Sequence, residues 1–151
     1  MSSWVTYIIN NKEHFGTISD DKITSYTGNM FQKPSKTDTV HLVDQVQLKN
    51  PCKPSKMIAL WNNYQSLALE KGLSKPDNPL YLNKAISCII DQGENIIRPK
   101  TYSENIFFEG ELGIVIGSTC KDVITEDVEK YIFGYTCIND VTAMDLVKKD
   151  P

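Results

Sequence analysis

The sequence predicts a β-rich α+β fold, and three observations predict it. The strongly patterned segments are mostly short runs of branched and aromatic residues bounded by Asn, Asp, Gly or Pro, from Trp4-Val5-Thr6-Tyr7-Ile8-Ile9 to Tyr135-Thr136-Cys137-Ile138. Helical patterning is confined to short stretches between them. One longer run, Ile106 to Gly117, alternates as a strand does.

Bulk composition narrows the function. The chain has 151 residues, 40% hydrophobic and 23% charged, which is ordinary for a globular protein of one domain or of a domain with an appendage. Net charge is −3 and no basic block occurs, which argues against a nucleic-acid partner. No apolar run approaches the ~18 residues of a membrane span, and the start MSSWVTYIINN lacks the features of a secretory signal. Cys52, Cys88, Cys120 and Cys137 form no C-x-x-C pair. We expect reduced thiols in a cytoplasmic protein, with Cys137 buried in its strand.

Residues 1–52 read as a small strand-rich unit and 53–151 as a second domain. In the first, Trp4–Ile9 is a strand, Asn10-Asn11-Lys12 a turn, and His14–Ile18 the return. Ser19-Asp20-Asp21 turns into Ile23–Tyr26; Met30–Asp38, polar and holding Pro34, is expected as loop; Val40–Leu48 has no clean period. His41 stands alone among apolar neighbours and is expected to be structural. Lys49-Asn50-Pro51-Cys52-Lys53-Pro54-Ser55 is the boundary, since two prolines block both helix and central strand.

Beyond it, Met57–Trp61 is a strand, and Tyr64–Lys71 a helix capped by Asn62 or Asn63 and closed by Gly72. Glu70 falls in that helix's last turn, where the dipole disfavours an acid; it is either an ordinary exposed glutamate or part of a site. Leu80–Leu82 is a strand leading to Lys84, Asp91–Asn95 a turn, and Ile96–Pro99 an edge strand. After Gly117, Thr125 caps a helix running to Phe133, Tyr135–Ile138 is a strand, and Val141–Lys149 a last helix.

The run Ile106–Gly117 carries the chemistry. Its even positions are Phe108, Leu112, Ile114 and Ile116; its odd positions place Glu109 and Glu111 on one face. Two carboxylates about 6–7 Å apart repel, so solvent, a basic partner or a cation must offset them. Asp140 is the third candidate, either as a helix N-cap or as a ligand. Carboxylate-only ligation suits a hard cation such as Mg²⁺, Mn²⁺ or Ca²⁺.

These residues fall in a recognisable order. Asn63-Tyr64 with Glu70, Pro79-Leu80-Tyr81 with Lys84, Phe108-Glu109-Gly110-Glu111-Leu112 through Ile116-Gly117, and Gly134-Tyr135-Thr136 with Asn139-Asp140-Val141-Thr142 follow one another. From Lys56 to Pro151 the chain resembles the first half of the catalytic domain of the fumarylacetoacetate hydrolase (FAH) family, and residues 1–52 resemble the small unit many members carry. The resemblance implies a β-roll of mixed sheets, usually a homodimer. It implies that Glu109, Glu111 and Asp140 bind Mg²⁺ or Mn²⁺, with Ca²⁺ in some members. It further implies a 2-oxo or 2,4-dioxo acid substrate, with C–C hydrolysis, decarboxylation or keto–enol isomerisation as the outcome.

Two departures follow. Many members carry a histidine three residues before the glutamate matching Glu70, and here that position is Leu67, so the usual activation of water by a base pair is in doubt. The chain also ends before the family's closing strands, so we expect an N-terminal fragment of such an enzyme. The alternative is a catalytically inactive binding or assembly module that needs a partner chain.

Overall fold

The computed structural model describes residues 3–149. It is β-rich, with nine strands and two short α-helices among the described residues. Among those residues no helix is long and apolar enough to cross a membrane. Contacts divide the chain into two compact units: residues up to Ser25 with Asp38–Asn95, and Tyr26–Thr37 with Ile96 onward.

A five-stranded sheet occupies the N-terminal part. Its strands are β1 (Ser3–Ile9), β2 (Lys12–Ser19), β3 (Lys22–Thr27), β4 (Ser35–Leu42) and β5 (Gln47–Lys49), in the order β4-β3-β2-β1-β5. Asn10 and Asn11 make the tight β1–β2 turn because both hold left-handed backbone, φ 51° and 59°, which Asn tolerates better than most residues. Gly16 in β2 is required by close approach, since an added Cβ would run into the Thr24 carbonyl oxygen. Tyr7 and Ile23 are fully buried. The Tyr7 hydroxyl pairs with Ser25 Oγ at 2.6 Å, and its ring stacks on His14 and meets His41 edge-on, both centroids at 5.7 Å. His41 thus has the structural place expected of it.

The segment 30–38, expected as loop, is half strand: β4 begins at Ser35. Thr37, Thr39 and Val40 are β-branched, and β4 lies at the sheet's edge, where Lys36 and Asp38 remain solvated. Val40–Leu48, whose type was open, resolves into the end of β4, a 3₁₀ turn over Val43–Gln45, and β5.

Strands β6 (Met57–Trp61) and β7 (Leu80–Lys84) pair antiparallel, Met57 opposite Lys84 and Trp61 opposite Leu80. Between them lies α1 (Gln65–Glu70), with Ala68 its buried residue. The expected Asn caps do not form. The N-cap is Tyr64, without a side-chain cap bond, while Asn62 takes φ 55° and its amide donates to Ser74 O at 3.0 Å. The exit is as expected, since Gly72 adopts φ 66° and closes the helix.

Other expectations are corrected. Ile96–Pro99 is not a strand: Pro99 has no N–H to pair, and the Arg98 guanidinium donates to the Tyr102 and Glu104 carbonyls, folding the segment back on itself. The helix expected over 125–133 is a 3₁₀ segment, Thr125–Tyr131, with Ile124 as N-cap. None of its residues is buried, and its Lys130–Asp127 ion pair at 2.6 Å spans three residues, which 3₁₀ geometry aligns. Ile132 and Phe133 belong instead to the following strand. The last helix, α2, covers Met144–Lys149 and starts three residues later than Val141.

Candidate active site

The acids lie where β8 (Gly110–Ile116) pairs with β9 (Ile132–Asn139). Gly110 is opposite Asn139, Glu111 opposite Ile138 and Gly113 opposite Thr136, with a bulge at Val115/Ile116. β8 therefore begins four residues later than Ile106. The ladder nevertheless continues past its end in the same register: the Asp140 N–H donates to Glu109 O at 2.9 Å, and Phe107 and Thr142 exchange two bonds of 2.9 Å.

That register sets the faces. Residues directly opposite in an antiparallel pair share a side. Glu109 and Asp140 are opposite, and Glu111 follows Glu109 by two, so the three acids fall on one face at one end of the pair. All three are half-buried. Asp140 is not a helix N-cap, because α2 begins four residues beyond it. Thr142 Oγ1 donates to the Asp140 carbonyl at 3.4 Å. Among the described residues, no three His, Cys, Asp or Glu side chains are gathered closely enough to hold a metal ion. The backbone thus aligns the acids without drawing their carboxylates into one cluster.

Gly113 is required on this face because its cross-strand neighbours fill the space a side chain would take. An added Cβ would lie 2.6 Å from Ile138 Cδ1 and 2.9 Å from Thr136 Cγ2. We expect Gly113→Ala to cost roughly 1–3 kcal/mol by overpacking, read as a lowered denaturant midpoint; an unchanged midpoint would contradict the packing described.

The opposite face is apolar and open. Phe108 is 82% exposed and Leu112 61%, with Ile114, Ile116 and Tyr135 also exposed. Cys137, expected to be buried, is exposed because it sits opposite Leu112 on this same face. All four cysteines are free thiols.

Glu70 lies in the last turn of α1 and is exposed, as is Leu67 three residues before it. Sequence reasoning did not find the Phe107–Thr142 bridge, which extends the acid face by one pair. The signal was the equal spacing of the two segments about Gly110 and Asn139, but it becomes readable only once those two residues are known to be partners.

The chain is β-rich α+β and presents three carboxylates along one antiparallel pair. Comparison with known proteins makes the class definite. The model described as fumarylacetoacetate (FAA) hydrolase C-terminal matches residues 56–151, and one described as Rv2993c-like, N-terminal, matches residues 3–51. The chain belongs to the fumarylacetoacetate hydrolase family. An uncharacterized protein of Methanocaldococcus jannaschii is 41% identical over 107 residues, covering 71% of this chain and 44% of that one. Oxaloacetate tautomerase YisK of Bacillus subtilis is 32% identical over 114 residues, covering 73% of this chain and 38% of the tautomerase. The crystal structure of a 5-carboxymethyl-2-hydroxymuconate delta-isomerase from Mycobacterium smegmatis matches with a TM-score of 0.83 at 28% identity, over 99% of this chain and 58% of the isomerase. The chain thus spans less than half the length of these two sequence relatives.

Proposed function

We propose that the complete protein is a divalent-cation-dependent enzyme acting on short 2-oxo or 2,4-dioxo acids, with keto–enol isomerisation as its main reaction. The observation that carries this reading is the register that puts Glu109, Glu111 and Asp140 on one face. The donor set fits a hard divalent cation, Mg²⁺ or Mn²⁺ before Ca²⁺, because all three groups are carboxylates. Those three residues would hold it. When bound, such a cation supplies Lewis-acid stabilisation of the negative charge on an enolate oxygen.

This chain's own residues do the rest. The three acids keep the site's donors on one side of the strand pair. Glu70 is the candidate proton acceptor, and keto–enol isomerisation needs only that a proton leave the carbon and one be delivered to the enolate oxygen, or the reverse. Hydrolysis also needs an activated water, and Leu67 offers no imidazole to share a proton with Glu70. Isomerisation therefore asks less of the side chains present than C–C hydrolysis does. Two relatives named as a tautomerase and an isomerase support the same preference.

A second reading is an inactive assembly module that works only against another surface. The open apolar face around Phe108 and Leu112 favours it. One experiment separates the two. The full-length protein is incubated with a panel of 2-oxo and 2,4-dioxo acids plus Mg²⁺ or Mn²⁺, and products are followed by NMR. The enzyme reading expects keto–enol interconversion well ahead of any cleavage product. Predominant C–C cleavage overturns isomerisation as the main reaction, and no turnover with either cation favours the module. Leu67→His is expected to raise any hydrolytic rate about tenfold or more while changing isomerisation little. No gain in hydrolysis would show that the missing imidazole is not what limits it.

A further inference from the structure

The stretch expected as the boundary, Lys49–Ser55, is tied down at Lys49, Asn50, Pro51 and Lys53. Asn50 donates from its backbone N–H to Asp91 Oδ1 at 2.9 Å and from its side-chain amide to the same oxygen at 2.8 Å. That amide also reaches Ile90 O at 3.2 Å. The Lys49 ammonium pairs with the other Asp91 oxygen, Oδ2. The Pro51 carbonyl accepts from Thr6 Oγ1 at 2.8 Å, and Lys53 pairs with Glu13 at 2.7 Å. Asp91 is itself positioned by its own N–H, which donates to Glu94 Oε2 at 2.9 Å.

The ties differ in weight. Lys53 and Glu13 are largely exposed, and such pairs contribute little. The Lys49 and Asp91 side chains are about one-fifth exposed, and Asp91 accepts three charge-assisted bonds there. A cleft of about 210 Å³ lies beside them, lined by Thr6, Cys52, Ile86 and Ile89 among others. Burial there pushes the Cys52 thiol up from its ordinary value.

We propose that residues 49–54 form a strap locked by the Asp91 carboxylate, a conformational latch that fastens the N-terminal sheet to the segment holding β6 and β7. Release of Asp91 frees the strap from Ile90 and Asp91 while β1, β2 and β3 stay paired. The latch also has a pH window. The charged groups facing it are Lys49, Lys53, Glu13 and Glu94. The hydrogen bond from Lys49, then that from the Asn50 N–H, holds Asp91 below its ordinary value, and the bond to Asp91 holds Lys49 above its own. The contribution of Asp91 is therefore present above the ordinary aspartate range and lost as pH falls through its depressed value. That of Lys49 is present below the ordinary lysine range and lost as pH rises through its raised value.

The test is native-state trypsin cleavage of the full-length protein near pH 8, with Asp91→Ala and Asp91→Asn. Cleavage after Lys49 should speed up about tenfold or more in Asp91→Ala and by less in Asp91→Asn, which keeps an acceptor oxygen for Asn50. Alkylation of Cys52 should rise toward that of exposed Cys88, and cleavage after Lys22, inside β3, should stay unchanged. Lys53→Gln, which removes only the exposed pair, should leave the rate at Lys49 within about twofold. Equal cleavage at Lys49 in parent and both variants overturns the latch. So does equal acceleration at Lys49 and Lys22, because that reports global destabilisation.

Discussion

In the full-length protein, Glu111→Ala is expected to weaken Mg²⁺ or Mn²⁺ binding by more than about 100-fold and to remove turnover with it. Glu111 would be one of three carboxylate donors, and even residues behind a metal's ligands typically cost 10–100-fold when lost. The fold should survive, for a physical reason. The β8–β9 ladder around Glu111 is held by backbone bonds, which an alanine keeps. Calorimetry should therefore show lost cation affinity beside a nearly unchanged melting temperature. Unchanged affinity would remove Glu111 from the site. Lost affinity with a collapsed melting temperature would make its role structural.

The largest stability effect is expected at Tyr7. It is fully buried, holds Ser25 through its hydroxyl, and contacts both histidines of the chain. Tyr7→Ala should cost about 3–5 kcal/mol, the range for emptying an aromatic site in a core. Tyr7→Phe keeps the ring and removes only the hydroxyl, and should cost about 1–3 kcal/mol because Ser25 Oγ loses its buried partner. Denaturant midpoints with constant slopes measure both. A loss below about 1 kcal/mol for Tyr7→Ala would mean that the five-stranded sheet is not organised around this ring.

Much of the architecture was readable because its signals are local. Asn10-Asn11 announces a tight turn by what Asn tolerates, and Gly72 ends α1 by taking a left-handed φ. Met57–Trp61 and Leu80–Leu82 read as strands from composition, and the shared face of Glu109 and Glu111 follows from the two-residue period of any strand. What was not readable depends on partners far along the chain. Ser35–Leu42 is polar and becomes a strand only because β3 offers it an edge. Ile96–Pro99 has strand composition but gives its bonding to Arg98. Cys137 looks like a core residue until its opposite number, Leu112, proves to be exposed.

The candidate site divides in the same way. Residue type and spacing nominate Glu109, Glu111 and Asp140, but only the register makes Asp140 the neighbour of Glu109 rather than a helix cap. The Asp91 latch was invisible in sequence, since its partners lie about forty residues away in Asn50 and Lys49. Two prolines there marked a boundary, and the polar side chains around them hold it in place.

In the proposed reaction, three carboxylates on one strand pair serve cation-assisted enolisation of an oxo acid. Its most direct measurement is hydrogen–deuterium exchange at the carbon next to the oxo group of a substrate from the panel, catalysed by the full-length protein with Mg²⁺ and with a chelator. Exchange should be fast with the cation and near the uncatalysed rate with chelator or in Glu111→Ala. Exchange that is equally fast in chelator, or that Glu111→Ala leaves intact, would contradict it.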